Sequence, residues 1–393
     1  MLSYEEALKI LHTHIKPYER VEKIILTECL GRILAVDIVA KDNYPKHLTA
    51  SMDGYAVKFS EQNNTLKVLG ITKAGSMPEF KLNTNECVKT FTGSLMCEGS
   101  DTLVPVENVE LNGNLLKIKE VVKEGFAVRK IAESYKGGEI LLKKGTKLDY
   151  SELGLLAELG IIHVSVFVKP IIGILSSGDE LKDLGECVEN EAQLRSSNHI
   201  ALANLAKKLS CQARIYELLK DDKNLVKDAI LNALQSCDIL ITTGGVSMGD
   251  FDFLKEFMQE YNPIINKVSI KPGRHIKIAK INEKFIIALP GFPYSSMVMF
   301  NLFVREILNV WFLQKKDYFF KAFLRGKYKK KSKYLEFVAV NLNFEDGKIY
   351  VNLKDKKEGS SAILNNLNNK AALMCISKEF TSDNELVDIV LMP

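Results

Sequence analysis

The spacing of apolar and polar residues changes period several times along the chain, and each change predicts a different kind of element. Ser3-Tyr-Glu-Glu6 has the form of a capping box, and Ala7, Leu8, Ile10 and Leu11 follow at helical spacing, which predicts a structural helix. Residues 21–40 alternate as strands do, with Gly31-Arg32 between two runs. Residues 65–128 read as short strands, with Asn112-Gly113 as a hairpin signal and Thr92-Gly-Ser94 at another strand end. Residues 129–148 are polar and punctuated by glycine. They lead to a helix over 149–160 that Gly160 stops, then to a strand over 161–168. Pro170 marks a boundary.

Beyond it, strands and helices alternate, which predicts a mostly parallel, doubly wound sheet covered on both faces. The strands are expected at 171–175, 213–218, 238–242 and 285–289, with helices at 198–209, 222–235, 252–260 and 294–311. After Trp311 the pattern returns to short strands at 336–342, 348–353, 372–376 and 385–391. Asp346-Gly347 and Gly359-Ser-Ser361 join them, and a small β-barrel or sandwich is expected. The fold class is therefore α/β and multidomain.

Composition narrows the functional classes. A chain of 393 residues exceeds one core and fits roughly two to four domains. Lys and Arg number 53 against 49 Asp and Glu, so general affinity for nucleic acid is not implied. The run Lys327-Tyr-Lys-Lys-Lys-Ser-Lys333 reads as a solvated loop tip. Seven cysteines without a C-x-x-C pair, and six histidines without ligand spacing, predict a reduced, zinc-free, cytoplasmic protein. No apolar run reaches membrane-spanning length.

The chemistry gathers at the expected carboxyl ends of the strands, where open α/β sheets bind ligands. Ile239-Leu-Ile-Thr-Thr-Gly-Gly-Val-Ser-Met-Gly-Asp-Phe-Asp252 reads as a strand, a glycine-rich turn and the approach to a helix. Amides at Gly244, Gly245 and Gly249, with the helix start behind them, suit an anion, and Asp250 and Asp252 suit an accompanying divalent cation. Taken alone, the loop fits equally a turn that merely brings strand and helix close. It is neither a dinucleotide fingerprint nor a Walker site. The other strand ends supply Ser176-Ser-Gly-Asp-Glu180, Lys220-Asp-Asp222 and Leu289-Pro-Gly-Phe-Pro-Tyr-Ser295, while Ile270-Lys-Pro-Gly-Arg274 brings two cations. Their coincidence favours a magnesium and phosphate site. Met52 and Tyr55 are apolar for a plain turn around Asp53-Gly54, so a site rim is considered there as well.

Seven motifs then resemble one family, the molybdopterin molybdenumtransferases of the MoeA and gephyrin E-domain type. They are Ser51-Met-Asp-Gly-Tyr-Ala-Val57, Phe91-Thr-Gly-Ser94, Ser177-Gly-Asp-Glu-Leu181, Thr243-Gly-Gly-Val-Ser-Met-Gly249, Ile270-Lys-Pro-Gly273, Leu289-Pro-Gly-Phe-Pro293 and Glu358-Gly-Ser360. The resemblance spans nearly the whole chain. It implies an elongated four-domain subunit: a linking domain from 1–40 and 130–169, an inserted β-rich domain at 41–129, a molybdopterin-binding α/β domain at 170–315, and a C-terminal β-barrel at 316–393. It implies a cytoplasmic homodimer that takes adenylylated molybdopterin, molybdate and Mg2+ and yields molybdenum cofactor and AMP. Transient contacts with a molybdopterin adenylyltransferase and with molybdoenzyme maturation proteins follow from that role, with no nucleic acid or membrane.

By the same resemblance, Asp53 and Thr92 would come from the partner subunit. Glu180, Asp221 and Asp252 would be the sheet-domain acids and metal ligands, while Gly244, Gly245 and Ser247 cradle the nucleotide phosphate. Lys271, Arg274, Ser295 and Ser360 would line the molybdate position. Ser177, Gly178, Gly249, Pro290, Gly291 and Pro293 complete the substrate-binding set.

Three departures from the family pattern bear on activity. Ser134 stands in Ala132-Glu-Ser134 where the family has Gly-Glu-Asp. Lys333-Tyr334 replaces an arginine before Leu335-Glu-Phe337, which is expected to weaken the link between the C-terminal domain and the oxyanion. Arg274 replaces a commoner lysine, keeping charge but changing donor geometry. The alternatives are a non-catalytic scaffold for cofactor-handling proteins, and a molybdopterin adenylyltransferase, which would need neither the Met-Asp-Gly-Tyr insertion nor the barrel.

Overall fold

The computed structural model describes residues 1–244, 253–357, 360–369 and 371–393, without the side chains of 253, 255 and 380. The chain forms two compact units. The larger comprises Met1–Ala35, Gly145–Ala157 and Ile161–Pro393; the smaller comprises Val36–Lys144 and Glu158–Gly160.

The larger unit is built on a five-stranded sheet in the order Gln212–Ile215, Ile171–Ser176, Ile239–Thr243, Lys284–Leu289, Lys277–Ile281. The first four strands run parallel and the last is antiparallel. Side chains of a strand point alternately to opposite faces, so a run that is apolar at every position must be covered twice. Ile172, Ile174, Ile239, Ile241, Phe285 and Ile287 face one side, where Leu202 and Ala206 of the Asn198–Lys208 helix and Phe303 and Ile307 pack on them. Leu175, Leu240, Ile286 and Ala288 face the other, under Val226 and Ile230 of the Lys223–Ser236 helix and Leu254 and Met258 of the Phe253–Glu260 helix. Each fully buried aliphatic side chain contributes roughly 1.5–3 kcal/mol. The doubly wound arrangement is thus fixed by two cores, one on each face.

Two differences from the sequence expectation are informative. The antiparallel Lys277–Ile281 strand was not anticipated, because lysines at 277 and 280 hide an apolar alternation. Lys277 is nonetheless only 5% exposed, with its ammonium donating to Asn266 Oδ1. The expected single helix over 294–311 is three segments, Pro293–Met299, a π-helical Phe300–Val304 and Arg305–Trp311. Every residue from Tyr294 to Val304 is buried, so this segment has no solvent face and must fit neighbours all round.

The capping box forms as expected: Glu6 N–H donates to Ser3 Oγ at 3.1 Å and Ser3 N–H to Glu6 Oε2 at 2.8 Å. The helix it starts, Tyr4–His14, sets Tyr4 edge-on against Phe303 and Phe337.

The chain's last fifth is a closed five-stranded barrel. Leu335–Glu345 pairs on one side with Lys348–Asn352 and on the other with Ala372–Ile376, and Phe319–Arg325 and Leu386–Leu391 complete the ring. Leu324, Val340, Val351, Met374 and Ile389 fill it. Asp346 and Gly347 turn the hairpin, both at positive φ. Ile270–Lys271 joins the outside of this barrel as a short strand parallel to Leu335–Glu345, with Lys271 opposite Glu336.

The smaller unit holds a six-stranded sheet in the order Thr102–Pro105, Gly54–Val57, Glu86–Thr90, Thr65–Thr72, Leu115–Ile118, Val109–Asn112. Ala56, Val88 and Leu103 face one apolar layer and Tyr55, Val57, Cys87 and Val104 the other. Gly113, at φ +62°, closes the hairpin read from Asn112-Gly113.

Candidate functional site

Three parallel strands, Ile171–Ser176, Ile239–Thr243 and Lys284–Leu289, end side by side, and the residues that follow them wall a cavity of about 900 Å3. Ser177, Glu180, Gly244, Pro290, Gly291 and Pro293 lie on the sheet side. Ser295 follows Pro293 in the same helix, while Lys271, Arg274 and Tyr334 come from other segments. Close approach of the strand ends leaves no room for a side chain at Gly244: φ is +95°, and a Cβ would stand 2.5 Å from Ser177 O. Ser176 Oγ and Thr243 Oγ1, 2.8 Å apart, tie the same two strand ends.

The acids sit together at one side. Asp221 N–H donates to Asp179 Oδ1 at 3.3 Å, and Glu180 folds back so closely that a Cβ on Gly178 would meet its Oε2 at 2.7 Å. Protein atoms crowded around the Asp221 carboxyl, then the charges of Asp179 and Glu180, push its pKa up, against a hydrogen bond from Ser177. Glu180 and Asp221 are the described acids here among those the sequence named as metal ligands. Among the described residues no three His, Cys, Asp or Glu side chains are grouped to hold a metal ion. Asp252, the third ligand expected from the sequence, lies outside the described residues, as do Gly245, Ser247 and Gly249.

The cations opposite are individually secured. Lys271 Nζ lies 3.6 Å from Glu336 Oε1, and Glu336 is 2% exposed. Burial alone would raise the Glu336 pKa, but hydrogen bonds from Tyr328, Ser332 and the Lys331 amide, with the charge of Lys271, bring it below the usual carboxylate value. Tyr328 Oη donates to it at 2.7 Å. Arg274 donates from Nη1 to Tyr334 Oη at 3.0 Å and stands over the same ring at 5.5 Å. It also reaches His275 Nε2 through Nη2 at 3.0 Å and Nε at 3.3 Å. Arg274 and Tyr334, the residue before the Leu335–Glu345 strand, are thus joined by a direct hydrogen bond.

Ser295 is buried at the foot of the cavity, its amide bonded to Ser361 O at 3.2 Å. Ser360 lines a smaller adjoining cavity of about 60 Å3 that shares Lys271 and is bordered by Lys331, Lys356 and Glu336. Asp53 and Thr92 belong to the smaller unit, where Thr92 donates to Asp53 Oδ1 from its amide and its hydroxyl, both at 2.8 Å. The amide bond and then the hydroxyl bond lower the Asp53 pKa. Ser134, in the same unit, accepts from Arg129 Nη2 at 3.2 Å.

Sequence reasoning missed part of the wall. Ser196 Oγ lies 2.7 Å from His199 Nδ1, and His199 Nε2 lies 3.2 Å from Asp183 Oδ1. Ser196 and Asn198 both line the large cavity, and Asn198 Nδ2 donates to Gly291 O at 2.7 Å. The only available signal was Ser196-Ser-Asn198 ahead of a helix, which reads first as a cap.

A doubly wound sheet with a cavity at its strand ends, bordered by a lysine and an arginine, defines the class of open α/β proteins that bind ligands at strand ends. The comparisons give the particular family. Residues 2–160 match the MoeA N-terminal region (domain I and II), and residues 173–310 match the probable molybdopterin binding domain. The chain is 32% identical over 312 residues to a molybdopterin molybdenumtransferase of Haemophilus influenzae, covering 78% of this chain and 77% of that one. It is 30% identical over 351 residues to the Bacillus subtilis protein of that name, covering 86% and 81%. A crystal structure of the molybdopterin biosynthesis MoeA protein from Pyrococcus horikoshii OT3 superposes with a TM-score of 0.85 at 30% identity, over 100% of both chains. The chain belongs to the molybdopterin molybdenumtransferase family. It is an enzyme of molybdenum cofactor biosynthesis, and no helix among the described residues is long and apolar enough to cross a membrane.

Proposed function

We propose that the enzyme transfers molybdate into adenylylated molybdopterin with Mg2+ and releases AMP. The observation that carries this reading is a cavity lined by Glu180, with Asp221 close behind it, and by the cations Lys271 and Arg274. A metal-bound phosphate fits the first and a tetrahedral dianion the second. Cleaving the phosphoanhydride requires neutralised phosphoryl oxygens and an attacking oxygen held in line. Mg2+ on Glu180, Asp221 and Asp252 would supply that neutralisation. The amides of the Gly244 turn, with Ser177, Gly178 and Ser247, would orient the nucleotide phosphate. A helix end or turn contributes only about 0.3–1 kcal/mol to an exposed anion, so the side-chain cations carry most of the burden on the molybdate side. There Lys271, Arg274, Ser295 and Ser360 would hold the dianion while the two dithiolene thiols bond to molybdenum and displace one oxygen, which leaves as water with their two protons.

We read the working form as a cytoplasmic homodimer of four-domain subunits, with Asp53 and Thr92 supplied by the second copy. The test is incubation of the protein with adenylylated molybdopterin, Mg2+ and molybdate. AMP release that depends on both ions supports the transferase. Tight binding without release would point to a scaffold, and adenylylated product formed from ATP to an adenylyltransferase.

A further inference from the structure

Arg274 is unusual among the cavity's cations in how little freedom its charge retains. A guanidinium carries five N–H donors in one rigid plane. Nε and Nη2 converge on His275 Nε2, and Nη1 bonds the Tyr334 hydroxyl oxygen, with the tyrosine ring 5.5 Å beneath. These contacts occupy three donors and leave one N–H on Nη1 and one on Nη2. All three residues line the cavity beside Lys271. Both bonds to His275 require a bare Nε2, so its proton must sit on Nδ1. Burial, then the charges of Arg274, Lys267 and Lys277, keep the His275 pKa below the ordinary histidine value, which preserves that acceptor.

We propose that Tyr334 and His275 are positioning residues that fix the Arg274 guanidinium as a two-pronged donor for an oxyanion in this cavity. Recognition then depends on the direction of the remaining N–H groups as well as on charge. A lysine at 274 would preserve the charge and lose the fork, because an ammonium has no plane and, after bonding both neighbours, keeps only one of its three donors for an anion. Tyr334 thereby takes up through Arg274 the role that a second cation would have filled directly. Lys333, whose ammonium lies 5.7 Å from the Tyr334 ring, faces the same aromatic group.

The inference rests on the reading that the cavity takes molybdate, and it is tested separately by titrating the full chain with molybdate calorimetrically. Tyr334→Phe keeps the ring and removes the acceptor. His275→Leu removes the other acceptor, and His275→Gln restores one. Affinity is expected to fall about fivefold to tenfold for Tyr334→Phe, His275→Leu and Arg274→Lys, and to recover in large part for His275→Gln. In an Arg274→Ala background the Tyr334 and His275 substitutions are expected to have no further effect, as a pathway through Arg274 requires. Additive losses in that background, unchanged affinity in the single variants, or no molybdate binding by the wild type would overturn the proposal. Near-ultraviolet circular dichroism checks the fold of each variant, and the Tyr334 and His275 arms are independent if one fails. Wild-type protein that binds molybdate but releases no AMP would refute the transferase reading and leave this proposal standing on the titration.

Discussion

The two sides of the cavity solve opposite electrostatic problems. On the acidic side, Glu180 lines the cavity with Asp179 and Asp221 close by, and burial, then the charges of Asp179 and Glu180, raise the Asp221 pKa. On the cationic side, Lys271 faces a buried carboxylate and Arg274 is bonded to a phenol and an imidazole. One side gathers carboxylates, and the other is already tied into hydrogen bonds. In the proposed function a metal would meet the first and an oxyanion the second.

The largest effect is expected from removing the cation that faces the buried Glu336. Lys271→Met should lower AMP release by roughly 10²–10³-fold, the range seen when one preorganised donor to a reacting anion is lost. Single-turnover assays at saturating nucleotide substrate would measure it, and a loss of less than tenfold would mean the cationic side is less specialised than described. Next comes Glu336→Gln, which removes the charge behind Lys271. It should weaken molybdate affinity severalfold and cost about 1–3 kcal/mol of stability, because Tyr328 and the Lys331 amide lose a charged acceptor. Denaturant unfolding beside the titration separates the two losses.

On the acidic side the effect is smaller and of opposite sign. A carboxyl whose folded pKa is raised carries a penalty that starts near its unfolded value, about 3.8, and is complete once the pH exceeds the folded value. Without metal, Asp221→Asn should therefore match or exceed the wild-type thermal midpoint at pH 7, with the difference vanishing toward pH 3.5. Wild type should also gain more from Mg2+ than the variant does. A variant that is less stable than wild type at pH 7 and equally stabilised by Mg2+ would contradict the picture of unrelieved charge.

The smallest effect concerns His275. Its lowered pKa means that the unfolded chain takes up a proton first as pH falls below about 6.5, so this residue's contribution to stability declines from there downward through the folded value. Thermal midpoints of wild type and His275→Gln should diverge only in that acid window and coincide above it.

Much of the architecture was legible because it is written locally. Ser3 and Glu6 are three residues apart and cap one helix, and the parallel strands declare themselves as short, uninterrupted apolar runs. Lys277–Ile281 was hidden because a buried lysine reads as solvent-facing until Asn266 is known to receive it. The Phe319–Arg325 strand was missed for want of clear alternation, since its burial is settled by partners at 348–352 and 386–391. The site divides in the same way. Glycines and acids at strand ends could be picked out one by one, whereas the bond between Arg274 and Tyr334 spans 60 positions and belongs to no motif. Ser196, His199 and Asp183 escaped for a related reason: their meeting depends on how the segment at 181–195 folds back.

The short strand Ile270–Lys271 has one further consequence. Its backbone pairs with Leu335–Glu345, and six residues later the same segment enters the sheet as Lys277–Ile281, so the lysine beside the cavity is anchored to the barrel and the sheet together.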